Sequence, residues 1–265
     1  MNRQPPLLSV EGLTKDFGGI RAVDSLSFDV REGTITGIIG PNGAGKTTVF
    51  NLVTGIYRPT EGSIRLSGQH IGGMRPDAIV GKGIARTFQN IRLFNRRSCL
   101  ENVLTPLLQK ARCSFLGALL GTPGARRQEK GLEERARGLL SDLGLERYAS
   151  RQAGTLPYGL QRKLEIARAL ATGPSLLLLD EPAAGMNPEE TRTLAELIAE
   201  VQRKFRVTIL LIEHHMDLVM NICSPIVVMH FGALLASGTP GEVRSNPEVV
   251  AAYLGKGEKN ERHQG

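Results

Sequence analysis

Hydrophobic and polar residues alternate with a period of two in two segments near the N-terminus, Leu26–Val30 and Ser63–Leu66. Such alternation is typical of β-strands that bury one face and expose the other. In the sequence, the two segments flank a stretch of different character. We therefore predict a small antiparallel β layer beside the main core of the protein.

Four other segments are continuously apolar or β-branched. They are Thr34–Ile39, Leu176–Leu179, Val207–Ile212 and Ile226–Met229. Strands of a parallel sheet are covered on both faces and have this uniform composition. The pattern predicts an α/β fold whose main sheet is largely parallel.

Apolar residues recur at helical spacing in residues 132–143, 160–171 and 194–205. Gly144 is a natural end for the first of these helices. The third is preceded by Asn187, Pro188 and Glu190, which offer an N-cap, a proline at the first helical position and a reciprocal glutamate.

The character of the chain changes in its middle third. A helical pattern with an irregular connection at Ser114–Gly124 replaces the strands, and strand–helix repeats return afterwards. We predict one domain over residues 7–255, with the core and β layer at about 7–91 and 160–255 and an inserted helical lobe at about 92–159. The polar residues 256–265 are expected to form a disordered tail.

The composition excludes several classes of function. With 41% hydrophobic and 22% charged residues the chain is typical of a soluble globular protein, and its apolar runs are too short to cross a bilayer. The N-terminus has no apolar segment of the signal-peptide type. The net charge of the chain is +7. Only 5% of its residues are aromatic and it has no Trp, so it lacks the stacking residues that favour a nucleic-acid partner. We therefore interpret the excess positive charge as solvated faces near a membrane-bound partner.

The three cysteines, Cys99, Cys113 and Cys223, lie far apart in the sequence and form no C-x-x-C pair. An odd number of widely spaced cysteines does not suggest a disulfide framework or a metal site. We therefore expect buried thiols in a reducing cytoplasm.

A glycine-rich loop, G-P-N-G-A-G-K-T-T at Gly40–Thr48, follows the first predicted core strand and precedes a segment, Thr47–Ile56, that is predicted to be helical. Strand, glycine turn and helix are the context in which such a loop cradles the phosphates of a nucleotide. Lys46 is expected to reach the β- and γ-phosphates, and the Thr47 hydroxyl to bind Mg²⁺. The predicted ATP-binding residues of the loop are Gly40, Pro41, Asn42, Gly43, Ala44, Gly45, Lys46, Thr47 and Thr48.

Two adjacent carboxylates, Asp180 and Glu181, follow the apolar run Leu176–Leu179. Ligand sites of open α/β sheets lie at the carboxyl ends of the strands. Asp180 is predicted to help hold Mg²⁺, and Glu181 to polarise the water that attacks the phosphate. The predicted chemistry is hydrolysis of ATP with Mg²⁺ as the metal, and the predicted catalytic residues include Glu181 and Lys46.

The segment Leu156–Leu170, L-P-Y-G-L-Q-R-K-L-E-I-A-R-A-L, places Tyr158 and Gly159 at a predicted helix N-terminus shortly before the Asp180 strand. It resembles the signature sequence of ABC-type ATPases, commonly L-S-G-G-Q. The resemblance implies a P-loop (RecA-like) ABC ATPase core and two subunits that dimerise head to tail. The signature residues, which would contact the ATP of the partner subunit, are Pro157, Tyr158, Gly159, Leu160 and Gln161.

Further motifs of the same family occur in the expected order. Phe17 matches the aromatic residue that stacks on adenine, and Gln89 matches the glutamine that binds ATP and senses Mg²⁺. His214 matches the catalytic switch histidine at the γ-phosphate. The loop that crosses the dimer interface is matched by Ala184, Gly185, Met186 and Asn187.

The signature departs from its common form in three positions. Pro157 replaces the serine, Tyr158 a glycine and Leu160 the glutamine. Loss of the serine hydroxyl removes one hydrogen bond to the γ-phosphate, so that Gly159 and the helix dipole become the main donors. Lys46, Glu181 and His214 are unchanged, so the resemblance still implies an active ATPase.

A narrower resemblance is to the ATP-binding subunits of high-affinity branched-chain amino-acid importers. It is carried by Ile84–Phe94, Ala183–Thr191, Asn246–Gly255, the signature segment and the I-E-H-H-M-D-L-V-M segment around His214. It implies a second ATPase subunit, a paralogue or else a second copy, together with two permeases and an external solute-binding protein. The chain would then lie at the cytoplasmic face of the inner membrane.

Other functions remain open at this point. An ATPase of another importer, or of an export or lipid-transport system, would carry the same motifs. A soluble ABC-type ATPase acting on nucleic acid is favoured only by the basic charge. A P-loop kinase or GTPase leaves the signature and His214 unexplained.

Overall fold

The computed structural model describes residues 5–110 and 123–254. The chain forms two compact units, one made of Met1–Arg86 and Ser175–Gly265 and the other of Thr87–Pro174. The second unit is longer at both ends than the helical lobe expected at about 92–159. Its extent has a physical reason, because the helix that begins at Tyr158 packs against the helix that begins at Cys99.

The first unit contains a four-stranded antiparallel sheet with the strand order β2-β1-β4-β5. Its strands are β1 (Leu8–Phe17), β2 (Ile20–Val30), β4 (Glu61–Leu66) and β5 (Gln69–His70). The alternation predicted at 26–30 is confirmed, since Leu26, Phe28 and Val30 are buried and the polar residues between them are exposed.

A six-stranded sheet, in the order β10-β9-β3-β8-β7-β6, forms the rest of the first unit's framework. Its strands are β3 (Ile35–Ile39), β6 (Ile84–Arg86), β7 (Leu176–Asp180), β8 (Thr208–Ile212), β9 (Ile226–His230) and β10 (Ala233–Gly238). All pairings are parallel except that of β10 with β9. Every residue of β3, β7 and β8 is buried, which confirms the prediction of a parallel sheet covered on both faces.

Helices of the first unit are α1 (Lys46–Val53), α2 (Pro76–Gly81), α6 (Pro188–Phe205), α7 (Met216–Ile222), α8 (Pro240–Ser245) and α9 (Pro247–Leu254). The predicted cap of α6 is confirmed: the Asn187 side chain accepts a hydrogen bond from the backbone of Glu190, whose carboxylate accepts one in return. Helix α1 ends three residues before the predicted Ile56. The chain turns there at Gly55, whose φ of 74° is in the left-handed region.

The second unit is helical. It contains α3 (Cys99–Lys110), α4 (Pro123–Asp142) and α5 (Tyr158–Ala171), with short 3₁₀ turns at Glu146–Tyr148 and Ala153–Thr155. Helix α4 ends two residues before Gly144, which has a φ of 69° and lies close to the helix end, as the sequence predicts. Of the helices in the described part of the chain, none is long and apolar enough to cross a membrane. Cys113, most of the connection Ser114–Gly124 and the tail 256–265 lie outside the described residues.

The two described cysteines, Cys99 and Cys223, are buried free thiols. Burial raises the pKa of both, that of Cys223 to about 12, with the Glu213 carboxylate as its second cause. Because the thiolate is the reactive form, a Cys113→Ser variant is expected to give no rapid thiol labelling near neutral pH while folded. Labelling with a chromogenic disulfide before and after denaturation measures this, and a fast-reacting thiol in the folded protein would contradict it.

Candidate functional site

The glycine-rich loop lies between the end of β3 at Ile39 and the start of α1 at Lys46. A Cβ at Gly40 would lie 2.2 Å from the carbonyl oxygen of Met229, and one at Gly45 would lie 2.4 Å from the carbonyl oxygen of Ala22. Both residues also have a positive φ. No other amino acid fits these two positions, so the loop is built to bring backbone groups close together.

The N-terminus of α1 is open toward a ligand. Its N-cap residue is Gly45, and no described side chain caps the helix. A Cβ at Gly43 would meet no atom within 4 Å, so this side of the loop faces open space. Uncapped N–H groups with the positive end of a helix dipole suit a phosphate, and the residues present therefore fit the predicted ligand.

Lys46 is buried within the same loop. Its Nζ donates hydrogen bonds to the carbonyl oxygens of Gly40, at 2.7 Å, and Pro41, at 3.1 Å. The ammonium group is thereby held against the curled backbone. It contributes a positive charge to the place where the phosphates are predicted to bind.

Asp180 ends β7 and is held by an arginine that the sequence motifs did not identify. Arg86 donates to the Asp180 carboxylate at 2.6 Å, and both side chains are almost completely buried. The same guanidinium donates to Asn51 in α1 and to Thr54, the C-cap residue of α1. It also lies 5.4 Å from the ring centroid of Phe50. Arg86 therefore links the strand that carries Asp180 to the helix that begins in the glycine-rich loop.

Glu181 adopts a φ of 45°, which is uncommon for a residue other than glycine and costs conformational energy. Its backbone N–H donates to the carbonyl oxygen of Ile212 at the end of the neighbouring strand β8. His214 follows that strand, and its Nδ1 lies 3.9 Å from the Glu181 carboxylate. The parallel pairing of β7 and β8 thus brings together two of the three predicted catalytic residues.

The predicted dimer-crossing loop follows immediately. The backbone N–H of Ala184 donates to the Glu181 carbonyl, and the N–H of Met186 donates to the Ala183 carbonyl. Asn187 ends the loop as the N-cap of α6. The loop is therefore a compact turn that is fixed at both ends.

Phe17 lies at the end of β1 and is 41% exposed. Its ring contacts Tyr57 edge to face, at a centroid distance of 5.1 Å, and Lys15 lies 5.0 Å from its centroid. The next strand, β2, contains Ala22, whose carbonyl faces Gly45. A partly exposed aromatic ring next to this strand is compatible with stacking on a base.

The signature segment begins α5 of the second unit. Pro157 is the N-cap residue, Tyr158 is the first helical residue and Gln161 donates to the carbonyl oxygen of Leu156 at 2.8 Å. A Cβ at Gly159 would meet no atom within 4 Å, so this position faces open space. Leu160 is partly buried.

A fully buried arginine, Arg162, extends from the first turns of α5. It donates to the Glu165 carboxylate at 2.6 Å and to the carbonyl oxygens of Phe88, at 2.8 Å, and Gln89, at 2.9 Å. The Tyr158 hydroxyl lies 3.1 Å from the same guanidinium. The tyrosine that replaces a signature glycine therefore has a defined partner, and the backbone at Gln89 is tied to the signature helix.

The predicted site residues fall into two groups. The first unit holds Phe17, the glycine-rich loop, Asp180, Glu181 and His214. His214 follows β8, which pairs with the loop strand β3, while Asp180 and Glu181 lie at the end of β7, on the other side of β8. Gln89 and the signature residues belong to the second unit, where their predicted contacts with Mg²⁺ and with a partner's ATP stay predictions.

Comparison with protein families gives two matches. Residues 23–184 match the family described as ABC transporter. Residues 233–259 match the family described as branched-chain amino acid ATP-binding cassette transporter.

Similar proteins from several organisms span nearly the whole chain. One is the high-affinity branched-chain amino acid transport ATP-binding protein BraF of Pseudomonas aeruginosa, 51% identical over 95% of this chain and 98% of its own length. The corresponding protein LivG of Escherichia coli is 49% identical with the same coverage.

Among solved structures, the ADP conformation of an ATP-binding cassette of an ABC transporter is 34% identical, covers 95% of this chain and 100% of its own, and gives a TM-score of 0.82. A nucleotide-free ATP-binding cassette from an ABC transporter is 33% identical, covers 94% of this chain and 99% of its own, and gives 0.80. The fold, the motifs and these similarities agree, and the chain therefore belongs to the ABC transporter ATP-binding family, among the branched-chain amino-acid transport ATP-binding proteins.

Proposed function

We propose that this chain hydrolyses ATP to power a membrane importer of branched-chain amino acids. The observation that carries the proposal is the approach of His214 to Glu181, 3.9 Å apart at the ends of the neighbouring strands β8 and β7. Strand β8 in turn pairs with the strand that leads into the glycine-rich loop. The importer and its solute are supported by the names of relatives that are about half identical over nearly the full length.

ATP would be held by the loop from Gly40 to Thr48, with Lys46 at the β- and γ-phosphates and Phe17 against the adenine. The uncapped N-terminus of α1 and the buried ammonium of Lys46 support this placement. Both supply positive potential that a triphosphate requires. Gln89 is proposed as a further ATP contact.

The residues proposed for Mg²⁺ are Thr47, Gln89 and Asp180, which offer the oxygen ligands that this ion prefers. Of these, Asp180 is fixed by Arg86 through one carboxylate oxygen. When bound, the metal neutralises charge on the phosphates. Thr47 is exposed at the start of α1 and can present its hydroxyl to a ligand.

Glu181 would orient the attacking water and accept its proton, because its carboxylate is partly exposed at the end of β7. His214 would contact the γ-phosphate from the adjacent strand end. The 3.9 Å between the two side chains leaves them close enough to act on the same phosphate.

The active assembly is proposed to contain two ATPase subunits, a paralogue being favoured over a second copy of this chain, with two permeases and an external solute-binding protein. The residues Pro157–Gln161 would contact the ATP of the partner subunit, and the loop Ala184–Asn187 would cross between subunits. ATP binding would close the pair and move a permease helix seated near Gln89. We place the complex at the cytoplasmic face of the inner membrane and treat residues 7–255 as one ATPase domain.

The proposed function is tested by replacing Glu181 with glutamine in cells and measuring uptake of labelled leucine, isoleucine and valine. High-affinity uptake of all three is expected to be nearly abolished, because one inactive ATPase subunit stops the transport cycle. A Glu189→Gln variant, with the same chemical change at an exposed residue of α6, serves as the matched control. Unchanged uptake in the Glu181→Gln cells would exclude these solutes and leave the ATPase activity to be tested by itself.

A further inference from the structure

Glu213 is a carboxylate with no exposed surface, immediately after β8. Burying a charged group is unfavourable unless hydrogen bonds replace its water. Its two oxygens receive such bonds from two separate segments of the chain. Glu213 belongs to the I-E-H-H-M-D-L-V-M segment, but the sequence predicted no role for it.

The two carboxylate oxygens are divided between these segments. Oε1 accepts from the backbone N–H of Ala183 at 2.8 Å. Oε2 accepts from the backbone N–H groups of His214, at 3.0 Å, and His215, at 3.2 Å, and lies 2.9 Å from His215 Nδ1. One side chain therefore bridges the segment after Glu181 and the segment that carries His214.

The same carboxylate also lies close to the His214 ring, with 3.8 Å between Glu213 Oε2 and His214 Nδ1. The 3.9 Å between Glu181 and His214 is longer than a hydrogen bond, and both side chains are partly exposed. The backbone that carries these two side chains therefore contributes to their relative position. Glu213 supports that backbone on both sides, while its burial keeps it away from substrate.

We infer that Glu213 is a positioning residue for ATP hydrolysis, which holds the Glu181 and His214 segments in register. The inference rests on the proposed function, and it adds a residue through which both proposed catalytic groups are placed. A carboxylate suits this role because it presents two acceptor oxygens to several N–H donors. An amide presents one oxygen and places an NH₂ group against the other donors.

The decisive variant is Glu213→Gln in the purified full-length protein. We expect kcat to fall about 10- to 100-fold, because one of the two segments loses its acceptor at a buried site. The affinity for ATP at equilibrium is expected to change by less than about threefold, since Glu213 does not reach the loop that binds phosphate. His215→Phe removes the contact between the ring nitrogen and Glu213 Oε2 but keeps the backbone N–H donor, and it is expected to retain most of the activity.

Amide hydrogen exchange supplies a readout that general destabilisation does not imitate. In Glu213→Gln, exchange is expected to accelerate in peptides that cover 181–187 and 212–216, and to stay unchanged elsewhere. Glu196→Gln, at an exposed position of α6, is the control for an ordinary carboxylate-to-amide change.

Three results would overturn the inference. A Glu213→Gln protein with the parent's kcat would show that the bridge is not needed. Joint loss of ATP affinity, thermal stability and exchange protection throughout the chain would indicate a role in folding only. If the parent protein itself hydrolyses no ATP, the proposed function fails first and the inference fails with it.

Discussion

Replacement of Glu181 by glutamine is expected to lower kcat for ATP hydrolysis by roughly 10²–10⁴-fold, the usual contribution of a positioned general base. The amide keeps the size of the side chain and its place beside His214, but it no longer accepts a proton from water. ATP binding should remain, because Glu181 lies outside the glycine-rich loop. Steady-state phosphate release gives kcat, and equilibrium binding of ATP gives the affinity.

The control for this experiment is Glu189→Gln, which makes the same chemical change at an exposed position in the first turn of α6. It should leave both quantities near those of the parent. A Glu181→Gln protein that keeps more than about a tenth of the parent's kcat would contradict a general-base role. Parallel loss of ATP affinity would assign Glu181 to binding instead.

Arg162→Met is expected to destabilise the protein by about 3–5 kcal/mol, because it leaves the buried Glu165 charge without its partner. The carbonyl oxygens of Phe88 and Gln89 lose donors in the same step. In a chain of this size the midpoint of thermal unfolding should fall by roughly 10 °C. Circular dichroism during heating measures the change.

The double variant Arg162→Met/Glu165→Met separates the cost of the unpaired Glu165 charge from the cost of the donors that the two carbonyl oxygens lose. Removing both charges is often nearly neutral, so at least half of the lost stability should return. The exposed pair Arg137 and Glu133, in the same unit and 2.7 Å apart, provides the matched control. Arg137→Met should cost about 1 kcal/mol or less. Equal effects of Arg162→Met and Arg137→Met would show that the buried network contributes little.

The Arg162 network also bears on the signature. Its guanidinium contacts the Tyr158 hydroxyl at the start of α5 and the backbone at Gln89. The substituted signature has therefore lost a serine hydroxyl but gained an internal support for the helix N-terminus. We expect the support to fix the direction of the Gly159 N–H, which the proposed contact with a partner's ATP requires.

Much of the fold could be predicted because its signals are local. Period-two alternation identified the antiparallel strands around Phe28 and Ile64, and continuous apolar runs identified β3, β7, β8 and β9. The sequence around Asn187 identified the start of α6 through its capping chemistry. In each case a short stretch of residues determines its own backbone conformation, so no distant partner is needed.

The contacts that position the site could not be predicted in this way. Arg86 and Asp180 are 94 residues apart, and Arg162 and Phe88 are 74 residues apart. A sequence shows that Arg86, Arg162 and Asp180 are charged, but the order of strands and the packing of helices decide which groups meet. The positive φ of Glu181 has no local signal either, because surrounding contacts impose it against its intrinsic preference.

Strand β3, which leads into the glycine-rich loop, pairs with β8 on one side and β9 on the other: Ile35 pairs with Ile209, and Gly37 with Ile226. Synthesis on the ribosome proceeds from the N-terminus, so β3 emerges long before either partner. Pairings between distant segments also form slowly. A nascent chain that ends before Thr208 therefore lacks both neighbours of the strand that supports the loop, and ATP becomes a ligand only of a nearly complete chain.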